Sequence, residues 1–200
     1  MSKGQATRTY ILQQSAELFN QKGYAGSSMA DVMRVTGLKK GGIYNHFQSK
    51  DELALESFRF AIARVHERQR QLLKGKRSTR DRLYALVDGF YGKDAEAPPM
   101  PGGCPLFNTA VEADDAHPAL KAQAQIALTQ WHDLLARIVT FGKKRGEISS
   151  NIDPDQVASV IISTLEGAII MNNLLGDPQH LQIAVNHLLA YIDQCCGVTS

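Results

Sequence analysis

Residues 39–46 combine positive charge with small and hydrogen-bonding side chains, starting with Lys39, Lys40, Gly41 and Gly42. Lysine ammonium groups suit DNA phosphates, or guanine O6 and N7 in the major groove. Each glycine costs a helix about 1 kcal/mol against alanine, but the missing Cβ lets the backbone come close to DNA. The segment therefore indicates DNA binding; the alternative is that the two glycines are merely tolerated.

Two short predicted helices position this segment. Ser28 and Asp31 have the spacing of a capping box, which predicts a helix start, and that helix ends near Gly37. A second helix is predicted over 39–46, and the glycine between the two permits a tight turn. Such a pair is typical of a helix-turn-helix, whose second helix lies in the major groove. Helix pairs of this kind also arise from plain packing, so the pair alone leaves both interpretations open.

The rest of the chain also predicts helices. Apolar residues recur at helical spacing almost throughout, and no segment alternates for long with period two, so the fold class is all-α. The predicted helices cover about 7–22, 28–36, 39–46, 49–72, 80–91, 106–113 and 118–141, with two more after 153 and 177.

Three kinds of signal set the predicted helix ends. Gly23 is expected to end the first helix in the αL conformation. Ser49 and Glu52 predict a second capping box at the start of the fourth helix. Two later helix starts share a capping aspartate followed by proline: Asp153-Pro154 and Asp177-Pro178.

The N-terminal run also carries a family signature. It reads Gly-Tyr at 23–24, Ser-Ser-Met-Ala-Asp-Val at 27–32, Thr-Gly-Leu-Lys-Lys-Gly-Gly-Ile-Tyr-Asn-His-Phe at 36–47 and Ser-Lys-Asp-Glu-Leu at 49–53. This pattern resembles the tetracycline-repressor (TetR) family over about residues 7–55, and the remainder matches in architecture alone. The resemblance implies an all-α homodimeric transcription factor, usually a repressor, with a ligand-binding C-terminal domain.

The resemblance also implies roles for individual residues. In similar proteins the position of Tyr44 gives a phenol hydrogen bond to a phosphate, and that of Lys50 gives a phosphate contact. Asn45 and His46 are placed to reach sugar or base edges, and two serines precede a helix N-terminus, which favours an anion. The candidate DNA-binding residues are Ser27, Ser28, Lys39, Lys40, Gly41, Tyr44, Asn45, His46 and Lys50.

One position departs from the family pattern. Lys39 stands where family members usually carry a serine or threonine that caps the recognition helix. The cap is therefore expected to be missing, and a charge replaces it. The departure makes the operator sequence harder to infer.

Charge is distributed unevenly along the chain. The net charge is +2, but residues 1–50 carry +5, whereas residues 151–200 carry −5 and contain no lysine or arginine. This asymmetry favours a basic module that meets a polyanion, joined to a module with another task. The alternative is chance clustering of solvated charge.

The last two predicted helices carry wide apolar stripes. Part of each stripe is expected to face an internal core, and part suits a helical dimer interface. In similar proteins these helices pair with their copies in a four-helix bundle. A two-fold axis would set the two DNA-binding segments about 34–36 Å apart and require a near-palindromic site.

The segment 102–112, Gly-Gly-Cys-Pro-Leu-Phe-Asn-Thr-Ala-Val-Glu, is the most distinctive part of the second half, and it resembles a run in one subset of the family. Cys104 precedes a predicted helix N-terminus, where the dipole favours a thiolate that senses oxidants or electrophiles. The alternative, which the sequence favours, is a buried small hydrophobe. An apolar ligand pocket is predicted from residues that are each also core candidates: Phe90, Cys104, Phe107, Trp131, His132 and Asn172.

Composition excludes several classes of protein. Hydrophobic residues make up 44% and charged residues 21% of the 200 residues, which is a globular balance. No apolar run has the length of a membrane span and no secretory signal is apparent. The odd count of three cysteines favours a reducing cytoplasm. No catalytic site, metal site or cofactor is expected, because the chain lacks a GxxxxGK loop, a nucleophile elbow and clustered histidines.

Together these observations predict two domains: a three-helix DNA-binding domain with a helix-turn-helix over 1–50, and a helical ligand-binding and dimerisation domain over 51–200. The predicted function is repression from a near-palindromic operator by a homodimer that a small molecule, an electrophile or an oxidant releases. The partners are operator DNA, a second copy and an effector, with no membrane. The alternative is a small all-α ligand-binding protein or enzyme without DNA contact.

Overall fold

The computed structural model describes residues 2–91, 100–114 and 116–197, with the backbone alone at Phe90. These residues form helices and contain no strand, which confirms the all-α prediction. The helices are α1 (Lys3–Lys22), α2 (Met29–Thr36), α3 (Lys40–Tyr44), α4 (Lys50–Leu73), α5 (Thr79–Tyr91), α6 (Pro105–Ala113), α7 (Pro118–Lys144), α8 (Pro154–Leu175) and α9 (Gln179–Cys195).

Helix α1 differs from the prediction at both ends. It begins four residues early because Ser2 and Gln5 form a capping box that the sequence analysis overlooked. At its other end, the expected αL conformation of Gly23 is wrong: φ is +81° but ψ is 158°. The positive φ still requires glycine there.

Two other helix starts also depart from the expected pattern. Ser49 Oγ accepts from the Glu52 amide at 3.1 Å, but the Glu52 carboxylate accepts from the Gln48 amide at 2.6 Å, so the box is only half formed. Helix α9 begins after the proline, while Asp177 Oδ1 accepts from the Gln179 amide at 2.9 Å. The Asp153 cap of α8 forms as predicted.

The chain divides into two compact units. The N-terminal unit comprises 1–66 and 99–127, and the C-terminal unit comprises 67–98 and 128–200. Helix α6 and the start of α7 therefore belong with the helix-turn-helix. The functional division at residue 50 stays a prediction, because a compact unit and a functional domain are different things.

The N-terminal unit is built around α1, α2, α3 and the first turns of α4. An ion pair between Arg8 and Glu56 joins α1 to α4. One buried hydrophobic cluster of this unit consists of Ile11, Leu12, Leu18, Val32, Ile43, Phe47 and Leu53.

In the C-terminal unit, α9 packs against both α5 and α8. Arg80 Nε lies 2.6 Å from Asp193 Oδ1, and the Tyr84 hydroxyl donates to the same carboxylate at 2.7 Å. The Arg80 guanidinium and the Tyr84 hydroxyl together hold the pKa of Asp193 below its usual value.

Contrary to the expectation from the sequence, helix α8 has the length and hydropathy of a membrane span. By that measure it is the one such helix in the described ranges, and 44% of its most apolar window is buried in the protein. A core helix of a globular protein passes the same test, so this is weak evidence for a membrane.

Candidate nucleic-acid interface

Helix α3 is anchored on one side and open on the other. Ile43 is fully buried and Phe47, just beyond the helix, is 1% exposed. The opposite side carries most of the candidate DNA-binding residues: Lys39, Lys40, Gly41 and Asn45 are exposed, and Tyr44 is 39% exposed. The core thus fixes the orientation of a basic, hydrogen-bonding edge, here called the basic edge.

Helix α3 is shorter than predicted, ending at Tyr44 rather than 46. Lys39 occupies the N-cap position and makes no side-chain capping bond, as its departure from the family pattern implies. Lys40 Nζ lies 5.5 Å from the centroid of the Tyr44 ring, which keeps the charge beside the phenol. The uncapped start and two adjacent glycines explain the short helix.

The glycines of α3 differ in their surroundings. A Cβ on Gly41 would have no atom within 4 Å, whereas one on Gly42 would make ordinary contact with Leu38 at 3.6 Å. Nothing in the folded chain therefore requires a glycine at position 41. Only a partner outside the folded chain would require a small residue there.

The N-terminus of α2 is locked by the predicted capping box. Ser28 Oγ accepts from the Asp31 amide at 3.1 Å, and the Asp31 carboxylate accepts from the Ser28 amide at 2.9 Å. The Ser28 hydroxyl also donates to that carboxylate at 2.7 Å. These bonds, with Arg34 and Lys22 beside them, hold the pKa of Asp31 well below its usual range. The acid stays ionised and keeps the start of α2 fixed.

Two candidate contacts are engaged inside the protein. Ser27 is 2% exposed and its hydroxyl donates to the Gly23 carbonyl at 2.6 Å. Lys50 Nζ donates to the Tyr24 carbonyl at 2.6 Å and lies 4.0 Å from the Tyr24 ring centroid. Both residues shape the loop before α2 in this arrangement, and their phosphate contacts stay predictions. His46 is half-buried, with its ring 6.5 Å from that of Phe47.

A carboxylate from α6 holds the same loop. Glu112 Oε2 accepts from the Tyr24 amide at 2.7 Å, and Glu112 Oε1 accepts from the Ala25 amide at 2.7 Å. A Cβ on Gly23 would lie 2.8 Å from Glu112 Oε1, so the glycine allows this approach. Sequence reasoning missed the role of Glu112, which closes the distinctive segment 102–112.

Other residues of that segment bind the end of α1. Asn20 Nδ2 donates to the carbonyls of Pro101 at 2.7 Å and Gly103 at 3.0 Å. Asn108 Nδ2 donates in return to the Asn20 carbonyl at 3.1 Å. We call these contacts, together with those of Glu112, the α6 clasp. The α6 clasp therefore gives several residues of segment 102–112 a structural role, because they contact α1 and the loop before α2.

Tyr24 lies at the centre of this loop. Its ring meets His117 edge-on at 5.0 Å between centroids, and its hydroxyl donates to Asp51. Burial, followed by the hydrogen bond to Asp51, raises the pKa of Tyr24 to about 12. The phenol therefore remains a neutral donor that ties the loop to α4.

The candidate ligand residues are divided between the two units. Cys104 is the half-buried N-cap of α6, and Phe107 is half-buried in the same unit. Trp131, His132 and Asn172 are half-buried in the C-terminal unit, where His132 Nε2 lies 3.4 Å from Ser159 Oγ. The Phe90 side chain lies outside the described part of the structure. Their ligand contacts stay predictions.

Family models cover both halves of the chain. One described as "Bacterial regulatory proteins, tetR family" matches residues 11–56, and one described as "Tetracyclin repressor-like, C-terminal domain" matches residues 79–188. The chain belongs to the TetR family. The N-terminal match contains the helix-turn-helix and the basic edge, so the resemblance seen in the sequence is confirmed.

Two solved structures and one curated relative match most or all of the chain. A TetR regulator from Chloroflexus aurantiacus J-10-FL is 43% identical with a TM-score of 0.91, covering 97% of this chain and 98% of its own. A TetR-family regulator from Cytophaga hutchinsonii is 30% identical with a TM-score of 0.90, covering 100% and 99%. The HTH-type transcriptional repressor DhaR of Mycobacterium sp. GP1 is 21% identical, covering 82% of this chain and 80% of its own.

The TetR-family assignment settles the role of the N-terminal helices. This protein is a DNA-binding transcriptional regulator, and its relatives are regulators rather than enzymes.

Proposed function

We propose that this TetR-family protein is a cytoplasmic repressor that binds a near-palindromic operator as a homodimer and is released by a chemical signal. The observation that carries the proposal is the basic edge, held at a fixed orientation by buried Ile43 and Phe47. Repression itself is the activity named for DhaR among the relatives.

The basic edge supplies the DNA contacts. Lys39 and Lys40 neutralise phosphates or donate to guanine in the major groove, and Tyr44 donates its phenol proton to a phosphate. Gly41, with open space where its Cβ would stand, lets the backbone approach the duplex. Asn45 reaches a sugar or base edge beside them.

An exposed apolar stripe supports the homodimer. Leu174 is 82% exposed and Leu175 is 60% exposed at the end of α8, where water contact is unfavourable. Neither α8 nor α9 contains a lysine or arginine that would repel a second copy. The stripe consists of Ile170, Met171, Leu174, Leu175 and Ile183. Covering it with the same stripe of a second chain gives the two-fold symmetry that a near-palindromic operator requires.

Release follows from differential binding. A signal that binds better to a dimer with misplaced DNA-binding helices lowers operator affinity by that difference in binding free energy. The α6 clasp supports such coupling, because a shift of α6 carries Glu112 away from the Tyr24 and Ala25 amides. The loop that precedes α2 would then lose two charged hydrogen bonds.

Two kinds of signal fit: a non-covalent ligand, or an oxidant or electrophile that attacks Cys104 at the start of α6. Replacing Cys104→Ser separates them, with Cys196→Ser as a matched control at another half-buried thiol. If the thiol is the sensor, peroxide or an alkylating agent releases wild-type protein and Cys196→Ser from operator DNA but not Cys104→Ser. Release of all three proteins supports a signal that does not act through Cys104.

The proposal is tested by operator binding of Lys40→Ala and Tyr44→Phe, on duplexes selected from a random library by the wild-type protein. Each loses a hydrogen bond to a charged group, so each is expected to weaken binding by about tenfold. Lys74→Ala removes an exposed charge outside the basic edge and is the control. Circular dichroism checks that each variant is folded. Wild-type affinity in both variants would remove the basic edge from the interface, and failure to select any duplex would favour a protein without DNA contact.

A further inference from the structure

A surface cleft of about 330 Å³ lies in the C-terminal unit, and its lining includes none of the candidate ligand residues. Its volume is within the range of small-ligand sites. The cleft is lined by Arg82 of α5, by Leu134, Arg137, Ile138 and Phe141 of α7, and by Arg145 just after α7.

The floor of this cleft is apolar. Leu134, Ile138 and Phe141 follow one another along α7 at spacings of four and three residues, so they share one face of the helix. Ile138 is buried, whereas Phe141 is 59% exposed despite its size. Covering this exposed aromatic ring with an apolar molecule is favourable, because it removes apolar surface from water.

The rim of the cleft is cationic. Arg82 and Arg137 form no ion pair with any residue of the described ranges. Arg82 Nε is in addition buried without a hydrogen-bond partner in that part of the chain. A buried, unsatisfied donor costs free energy that an acceptor in the cleft would recover. Arg137 uses its Nε on the Asp133 carbonyl at 3.1 Å, which leaves its terminal nitrogens for a ligand.

One end of the cleft is held by close packing. A Cβ on Gly142 of α7 would clash with Thr79 Oγ1 of α5, so the two helices touch there. Arg145 donates to the Arg77 carbonyl at 3.0 Å and to Glu147 at 3.1 Å, and Glu147 accepts from the Thr79 amide at 2.6 Å. Arg145 is thus fixed and largely neutralised. The net positive charge of the rim therefore comes from Arg82 and Arg137.

We propose that this cleft binds an amphipathic organic anion, whose carboxylate or phosphate head pairs with Arg82 and Arg137 while its apolar body covers Phe141. The guanidinium groups supply planar donors that match either head group. The ligand spans α5 and α7, so binding stabilises the C-terminal unit.

Calorimetric titration of the full-length protein with octanoate tests this site. The wild-type protein is expected to bind octanoate and octyl phosphate, to bind 1-octanol at least about tenfold more weakly, and to gain thermal stability with either anion. Octanoate and octyl phosphate distinguish the two head groups. Inorganic phosphate, which lacks an apolar body, is expected to bind weakly and not to displace octanoate.

Variants locate the binding. Arg82→Gln/Arg137→Gln is expected to lose affinity for octanoate by about tenfold or more, because two charged hydrogen bonds are removed. Arg64→Gln/Lys74→Gln removes two exposed charges elsewhere and is expected to bind as the wild type does. Phe141→Ser is expected to weaken the binding of octanoate, because the apolar surface that its body would cover is removed.

Three results would contradict the proposal that this cleft is a binding site. These are no binding of either anion to the wild-type protein, undiminished binding to Arg82→Gln/Arg137→Gln, and equal binding of 1-octanol. Operator binding is not part of this experiment, so its outcome is independent of the proposed repression.

Discussion

The surfaces that the two units offer to their partners are built differently. The basic edge of the N-terminal unit is polar and is oriented by the buried Ile43 and Phe47. The loop before α2 and the start of that helix are fixed by directional bonds, such as those of Glu112 with the loop and of Ser28 with Asp31. The α8–α9 surface of the C-terminal unit is apolar, and its most exposed residues have no polar atoms to direct them.

This difference follows from what each surface meets. DNA presents phosphates at fixed spacing, and a hydrogen bond weakens steeply when donor and acceptor are misaligned, so the N-terminal unit needs rigid local geometry. A second copy of the chain presents the same apolar stripe, and apolar burial is non-directional and proportional to area. A substitution on the basic edge should therefore remove one contact with DNA and leave the others in place. A charge placed on the apolar stripe should instead disrupt the whole dimer interface.

The largest effect is expected from Leu174→Glu on the apolar stripe. A charge buried against a second copy has no partner, so the dimer dissociates. Operator affinity then falls by about 100-fold or more, because the two half-sites are no longer bound by one molecule. Analytical ultracentrifugation and a gel-shift titration measure the two effects.

Ile126→Glu is the matched control, since Ile126 is 51% exposed but lies on α7 in the N-terminal unit. It is expected to remain dimeric. If Leu174→Glu stayed dimeric, or Ile126→Glu dissociated, α8 and α9 would not be the dimer interface.

A smaller effect is expected from Glu112→Gln in the α6 clasp. The amide keeps the shape of the side chain but places an NH₂ group opposite one backbone N–H and removes the charge from the other bond. The free energy of unfolding is expected to fall by about 1–2 kcal/mol, and operator affinity by about fivefold. Urea denaturation and gel-shift titration measure these changes.

Asp133→Asn, an exposed acid on α7 with no ion pair in the described residues, controls for the lost charge. Wild-type stability and affinity in Glu112→Gln would mean that the clasp positions nothing, and an equal loss in Asp133→Asn would point to net charge instead.

The sequence predicted the parts whose causes are local. The capping box at Ser28 and the missing cap at Lys39 both follow from neighbours a few residues away. The exposure of Lys40 and Tyr44 also follows, because they lie opposite the buried face of a short helix.

The parts that escaped prediction depend on distant partners. The Glu112 carboxylate meets an amide 88 residues away, and no local pattern indicates that pairing. The buried Ser27 hydroxyl donates to the Gly23 carbonyl, and Gly23 has a ψ of 158° rather than the αL conformation expected there. Segment 102–112 stood out in the sequence, but its contacts with Asn20 appear only in the fold.

The salt dependence of operator binding tests the central claim most directly, because each neutralised phosphate contributes about −0.9 to the slope of log K against log salt. With at least Lys39 and Lys40 engaged in both protomers, the slope is expected to be steeper than about −3.5. In Lys40→Ala it should become shallower by about two, one contact per protomer. A flat dependence, or the same slope in Lys40→Ala, would contradict an interface built on the basic edge.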